Sequence, residues 1–212
     1  MELYVVRHGE TQANRERRYS GWTETPLTEA GLKQAEKTGY FLADFNPHML
    51  FCSDLQRARD TAGAIGAACG LQPVVNPLLR EINFGQWEGK SFSEIDEKWP
   101  VEVKRWLDDP LTYSPPGGET VVEVSERMLS FMQKIKAKNN TSTRVVVVSH
   151  GGSIRALLHS VFNYDSKSFW DVGIANSSIN LFRLAEGELK SDYYNYTGHL
   201  GDNLSRGLPG DH

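Results

Sequence analysis

The sequence predicts an α/β fold, a three-layer α/β/α sandwich around a mostly parallel central sheet, and three observations carry that expectation. Two apolar runs of strand length, residues 3–6 and Arg144–Ser149, lie far apart in the chain, yet both stop at a histidine-glycine step, His8-Gly9 and His150-Gly151. Apolar runs alternate with segments of helical spacing, which is the pattern of strand, turn and helix in a parallel sheet. The run Arg144–Ser149 is apolar on both alternating faces, as suits a central strand covered by helices on each side. At 212 residues the chain has the length of one sizeable α/β domain, so residues 1–212 are read as a single domain.

The first strand ends in Arg7, His8 and Gly9, and ligands of a parallel sheet bind beyond the carboxyl ends of its strands. Residues 12–25 are polar, and their basic cluster of Arg15, Arg17 and Arg18 is either a solvated face or a contributor to the pocket. Thr28 is a cap candidate for a helix to about residue 44, with Leu32, Ala35, Gly39 and Leu42 near helical spacing. Met49–Cys52 is the next strand, and Ser53-Asp54 opens a helix that places Arg57 in its first turn and stops at Gly70. Residues 73–75 form a third strand.

From 82 to 118 the pattern is irregular and reads as a lid-like insertion, with a short helix at Ser91 and breaks at Pro100, Pro110, Pro115 and Pro116. Its aromatics, Phe84, Trp87, Phe92, Trp99, Trp106 and Tyr113, suit either a satellite core or the wall of a substrate pocket. Thr120 and Glu123 form a capping box for a long helix to about residue 138. A helix follows at 153–162. A hairpin spans 178–194, turned at Glu186-Gly187. From about residue 197 the glycine-rich, polar chain reads as a loosely ordered tail.

The net charge of −4 gives no bulk attraction to nucleic acid or to an anionic membrane. Cys52 and Cys69 are the only cysteines, too few for a disulfide framework or a metal site, and read as buried free thiols of a reducing compartment. No apolar run approaches the ~18 residues of a membrane span, so the expectation is a soluble, cytoplasmic protein.

A lone histidine at a strand end is ordinarily a polar cap. Two strand-terminal His-Gly steps in one chain, the first preceded by arginine, point instead to two imidazoles in one pocket. Together with Arg7, Arg57 and the acid Glu81, that pocket suits a phosphate ester. Arginines bind the dianion, one histidine attacks phosphorus, the other donates a hydrogen bond, and a carboxylic acid protonates the leaving alkoxide. No P-loop, no H-E-x-x-H and no two-metal carboxylate cluster is present, and neither a metal nor another cofactor is expected.

These residues resemble the histidine phosphatase superfamily, which includes the cofactor-dependent phosphoglycerate mutases. The resemblance runs along nearly the whole chain. Val6-Arg7-His8-Gly9-Glu10-Thr11 is similar to its nucleophile segment, and Asn14, Arg18 and Gly21 with Pro26-Leu27-Thr28-Glu29 to the loop after it. Ser53 to Ala62 is similar to the second arginine segment, residues 80–89 to the proton-donor segment, and Val148-Ser149-His150-Gly151-Gly152 to the second histidine. The resemblance implies a phosphoglycerate mutase-like fold. It implies His8 as the nucleophile that becomes phosphohistidine, with Arg7, Arg57 and His150 holding the phosphoryl group beside Gly151. Glu81 would be the acid and then the base for water, with Asn14 and the Gly21 backbone as further substrate contacts. Ala13 and Glu24 depart from the tryptophan and aspartate of many members.

Phe84 to Gly89 and Pro115 to Thr120 are similar to the phosphatase branch, which includes α-ribazole-5'-phosphate phosphatases and broad-specificity phosphatases. The expected activity is therefore hydrolysis of a small phosphate monoester. A phosphoglycerate mutase and an inactive binding protein on the same fold are the alternatives. The alcohol half of the substrate and the oligomeric state stay open, a homodimer being one option.

Overall fold

The computed structural model describes residues 1–138, 142–163, 166, 168–185 and 188–201. Six strands form one sheet: β1 Glu2–Arg7, β2 Met49–Cys52, β3 Val74–Val75, β4 Arg144–Ser149, β5 Ile179–Ala185 and β6 Glu188–Tyr196. Their order is β3-β2-β4-β1-β5-β6, with β1 to β4 parallel and the β5–β6 pair antiparallel at one edge. The expected fold class is thus the observed one.

Alternation along the central strands divides the core between the two faces of the sheet. Leu3, Val5, Val145 and Val147 pack against α6 (Val121–Lys136) and α7 (Gly151–Phe162) through Met128, Phe131, Ile154 and Leu157. Tyr4, Val6, Val146 and Val148 pack against α2 (Glu29–Ala43) and α3 (Gln56–Cys69) through Leu42, Ala58, Ala62 and Ile65. Because β1 and β4 are covered on both sides, they read as unbroken apolar runs.

Local signals set the helix ends. Thr28 accepts the Gly31 N–H at the start of α2, Thr120 and Glu123 form the capping box of α6, and Gly70 ends α3 at φ 69°. Four expectations are corrected. The polar stretch after β1 contains a short helix, α1 Gln12–Arg15, capped by Thr11 and Asn14. Pro100 does not break a helix but starts one, α5 Pro100–Asp108, directly after α4 Phe92–Lys98, because its missing N–H costs nothing in the first turn. The tail expected to be loose from about 197 is ordered through residue 201, where Leu200 is buried and Lys37 donates to its carbonyl. Its remainder and the hairpin turn at Glu186-Gly187 lie outside the described residues. Finally, Cys52 is buried but Cys69 is only partly so.

Residues 82–118 form a satellite core of Trp87, Ile95, Val103 and Trp106, against which Tyr19, Phe84, Trp99 and Tyr113 pack. Among the described residues no helix is long and apolar enough to cross a membrane.

Candidate active site

The register of the sheet brings the two histidines together. Arg7 at the end of β1 pairs with Ser149 at the end of β4, so the next residues, His8 and His150, emerge side by side, with ring centroids 5.1 Å apart. His8 Nδ1 lies 2.7 Å from the Gly9 carbonyl. A carbonyl only accepts, so Nδ1 carries the proton of the neutral ring and Nε2 keeps the lone pair. The two side chains are 3 % and 0 % exposed, and neither ring nitrogen of His150 has a hydrogen-bond partner among the described residues. Burial first, then the nearby Arg57 guanidinium, pushes both well below the ordinary 6.5.

A cavity of about 200 Å³ opens over these strand ends, lined by Arg7, His8, Thr11, Asn14, Arg17, Arg18, Tyr19, Ser20, Arg57, Glu81 and Phe84. Arg57 is 1 % exposed and is held by three carbonyls, donating to Thr23 at 3.0 Å, Ser20 at 3.2 Å and Gly21 at 2.6 Å. Arg7 donates to the Ile174 carbonyl at 2.5 Å, and burial lowers its pKa to about 10, which leaves it a cation at neutral pH. Two desolvated guanidinium groups beside an imidazole make a site suited to an anion.

Glu81 sits against the amino terminus of α7. Its Oε1 accepts the N–H groups of Ile82 at 2.8 Å and Ser153 at 3.0 Å, whereas Oε2 accepts only that of Gly152, at 3.0 Å. The carboxyl is therefore oriented from three sides, and Oε2 is the less engaged of its two oxygens. The neighbouring Glu88 is committed elsewhere. It accepts the N–H groups of Gly21, Trp22, Thr23 and Phe84 and so holds the loop whose carbonyls hold Arg57.

The structure brings together His8, His150, Arg7, Arg57, Glu81 and Asn14. Thr11 N–H and the Asn176 amide both donate to Asn14 Oδ1, which leaves the Asn14 amide to donate into the cavity. Gly21 is a correction: its N–H is taken by Glu88 and its carbonyl by Arg57, so it supports the cavity without lining it. Gly151 packs against Arg7, where a Cβ would stand 3.2 Å from Nε. Of the basic cluster, Arg17 and Arg18 reach the cavity. The aromatic wall is Phe84 and Tyr19, while Trp87 and Trp106 are buried in the satellite core behind it.

The chain reading missed the segment before β5. Asn176 donates to the carbonyls of His8 and Gly9, and Ser177 N–H, at φ 56°, reaches the carbonyls of Arg7 and His8. The only local signal was the turn-forming run Asn176-Ser177-Ser178 ahead of the hairpin. Arg127 was also missed. It donates to the carbonyls of Leu78, Arg80 and Glu81 and pairs with Glu119, and so anchors the acid segment to α6.

Among the described residues no group of three or more His, Cys, Asp or Glu side chains is placed to hold a metal ion. Residues 3–197 match the model of the histidine phosphatase superfamily, branch 1. Phosphoserine phosphatase 1 of Hydrogenobacter thermophilus is 31 % identical over 202 residues, covering 95 % of each chain. Glucosyl-3-phosphoglycerate phosphatase of Mycolicibacterium vanbaalenii is 33 % identical over 184 residues, 83 % of this chain and 81 % of its own. The α-ribazole phosphatase of Shigella flexneri superposes with a TM-score of 0.81 at 27 % identity, covering 92 % of this chain and 96 % of its own.

Proposed function

The chain belongs to the histidine phosphatase superfamily, branch 1, and on that premise we propose that it hydrolyses a small phosphate monoester through a phosphohistidine on His8, without a metal. Its relatives' names support phosphatase activity; the covalent route and the substrate are the proposal. The observation that carries it is the tautomer. With Nδ1–H held by the Gly9 carbonyl, the Nε2 lone pair of a neutral His8 is the free nucleophile at the floor of an arginine-lined cavity.

In this reading Arg7, Arg57, His150 and the Asn14 amide hold the non-bridging phosphoryl oxygens. The Nε2 pair forms the N–P bond as the ester P–O bond breaks, and the departing alkoxide takes the proton of Glu81 Oε2. Water then attacks phosphorus while Glu81 accepts its proton, and the N–P electrons return to His8. Charge on the oxygens is met by preorganised guanidinium groups that burial has already desolvated, the largest contribution such a site makes.

The relatives act, by their names, on phosphoserine and glucosyl-3-phosphoglycerate, and α-ribazole-5'-phosphate and a broad substrate range are further candidates. Acid quenching after a single turnover with labelled ester tests the route. Wild-type enzyme should retain an acid-labile, base-stable label, and His8→Ala should lose both label and turnover. Turnover with no label on His8 would falsify the covalent step. Assaying isomerisation of 3-phosphoglycerate with its bisphosphate primer in parallel separates a hydrolase from a mutase.

A further inference from the structure

Arg17 occupies a place in the backbone that disfavours it. α1 ends in a Schellman motif: with Glu16 as C-cap, the Arg17 N–H donates to the Asn14 carbonyl at 3.2 Å and the Arg18 N–H to the Ala13 carbonyl at 2.9 Å. The residue after the C-cap in this motif takes left-handed backbone, and Arg17 has φ 52°. Glycine is the usual occupant, and asparagine is tolerated because its short side chain bonds locally. Among the described residues the other non-glycine positions with positive φ are three asparagines, Asn46, Asn163 and Asn195, and Ser177. Arg17 alone places a long cation there. The turn is also firmly held, since Arg18 bridges to Ser91 and the Tyr19 N–H bonds to the Lys90 carbonyl.

The charges that line the cavity are unevenly compensated. The lining residues include four arginines and one carboxyl, Glu81. Arg7 and Arg57 are buried at the phosphoryl position and match its dianion. Arg18 lies at the mouth but is neutralised by Glu16 at 3.1 Å and Glu94 at 2.9 Å. Arg17 lines the same cavity from an exposed position, and its side chain has no ion pair or hydrogen bond among the described residues. One guanidinium fork at the rim is thus left over when the phosphoryl group is bound.

Building on the phosphatase reading, we propose that Arg17 is a specificity residue that selects phosphate monoesters whose alcohol half carries a second anionic group, a carboxylate or a second phosphate. Backbone strain persists where surrounding structure holds it and function uses it. Here the strain aims an uncompensated fork across the entrance, at the part of the substrate farthest from phosphorus. A neutral alcohol half would leave that fork in water.

The test uses 4-nitrophenyl phosphate as reporter and measures competition by three esters: glycerol 3-phosphate, 3-phosphoglycerate and propane-1,3-diol bisphosphate. The first two differ in one terminal group, hydroxymethyl against carboxylate, and the third supplies phosphate there. Wild-type enzyme should bind an anionic member roughly tenfold more tightly than glycerol 3-phosphate, the scale of one charge-assisted hydrogen bond. In Arg17→Gln that ratio should collapse toward unity, and Arg17→Lys should recover part of it. Arg17→Gly should lose the ratio while its Tm rises by roughly 2–4 °C, because glycine relieves the turn. A structural role predicts no change in the ratio. A wild-type ratio near unity, or a ratio unchanged in Arg17→Gln and Arg17→Gly, would overturn the proposal. Failure to release nitrophenolate at all would instead overturn the phosphatase reading beneath it.

Discussion

His8 and His150 show how one microenvironment sets both chemistry and stability. Each is held well below 6.5, by burial first and by the arginines second. Below pH 6.5 the unfolded chain takes up protons that these folded rings refuse, so stability is full above that pH. It falls as pH drops toward the folded values, by up to about 1.4 kcal/mol per pH unit for each ring. Urea unfolding at about pH 7 and about pH 5.5 should show that loss in the wild type and a smaller one in His150→Asn. Glu81 makes a second residue-scale case. Glu81→Gln keeps the shape and removes the proton, so phosphoenzyme formation should slow roughly 10²–10⁴-fold with alkyl phosphates. Nitrophenyl phosphate, whose leaving group needs little help, should lose far less. Gly152→Ala is the complementary variant: its Cβ would stand 2.6 Å from Glu81 Oε1 and 2.8 Å from Ile82 Cδ1 and displace the carboxyl, giving the same selective loss on esters with poor leaving groups. Equal burst losses for both esters would remove Glu81 from the acid role.

At the scale of elements, the candidate site is braced by groups that do not line its cavity. Arg127 on α6 collects the carbonyls of Leu78, Arg80 and Glu81, and Glu88 collects the N–H groups of the loop that seats Arg57. Both are positioning residues. Arg127→Met leaves three carbonyls without their donor and removes a partly buried ion pair with Glu119, and should cost roughly 1–3 kcal/mol of stability, the scale of acceptors left unsatisfied. On the proposed mechanism its kinetic signature should be a fall in kcat for alkyl esters with KM little changed, because Glu81 loosens while Arg7 and Arg57 stay in place. Arg127→Lys should rescue stability more than kcat, since an ammonium cannot span three carbonyls and a carboxylate at once. Rate profiles against leaving-group pKa, with unfolding measured in parallel, separate the two effects. The close approach of β1's exit to α2 is of the same kind, since a Cβ on Gly9 would collide with the Gly31 carbonyl.

The described residues form a two-faced sheet with two smaller cores besides, one of Ile82, Val121, Val124, Ala156 and Phe169 and one around Trp87 and Trp106. Trp87, Ile95, Val103 and Trp106 are buried together away from the two sheet faces, and Tyr19 and Phe84 bridge from them to the cavity wall. This division predicts unequal stability. Trp106→Ala should cost about 3–5 kcal/mol locally, the usual scale for a buried large aromatic. Amide exchange should then quicken across residues 92–108 before β1 and β4 lose protection. Uniform loss of protection across the sheet would show instead that the cores unfold as one. The sheet itself is asymmetric. Its parallel half delivers His8, His150 and the segment leading to Arg57, while the antiparallel hairpin closes the other edge and contributes the Asn176 turn behind His8.

The sequence by itself determined what depends on neighbours a few residues apart. Apolar runs that stop at His-Gly steps, the Thr120–Glu123 capping box, the Thr28 cap and Arg57 in the first turn of α3 are local patterns, and each is where the chain reading put it. Tertiary structure alone decided what depends on distant partners. The Arg7–Ser149 register sets His8 against His150, Asn176 reaches back to His8 and Asn14, and Arg127 gathers the acid segment. Such contacts have no periodicity and no fixed spacing. They arise when the packed layers bring backbone carbonyls and amides of separate segments within hydrogen-bond reach. Arg17 lies between these cases: its basic cluster is plain in the chain, but only the closed turn shows which of three arginines stands uncompensated at the cavity mouth.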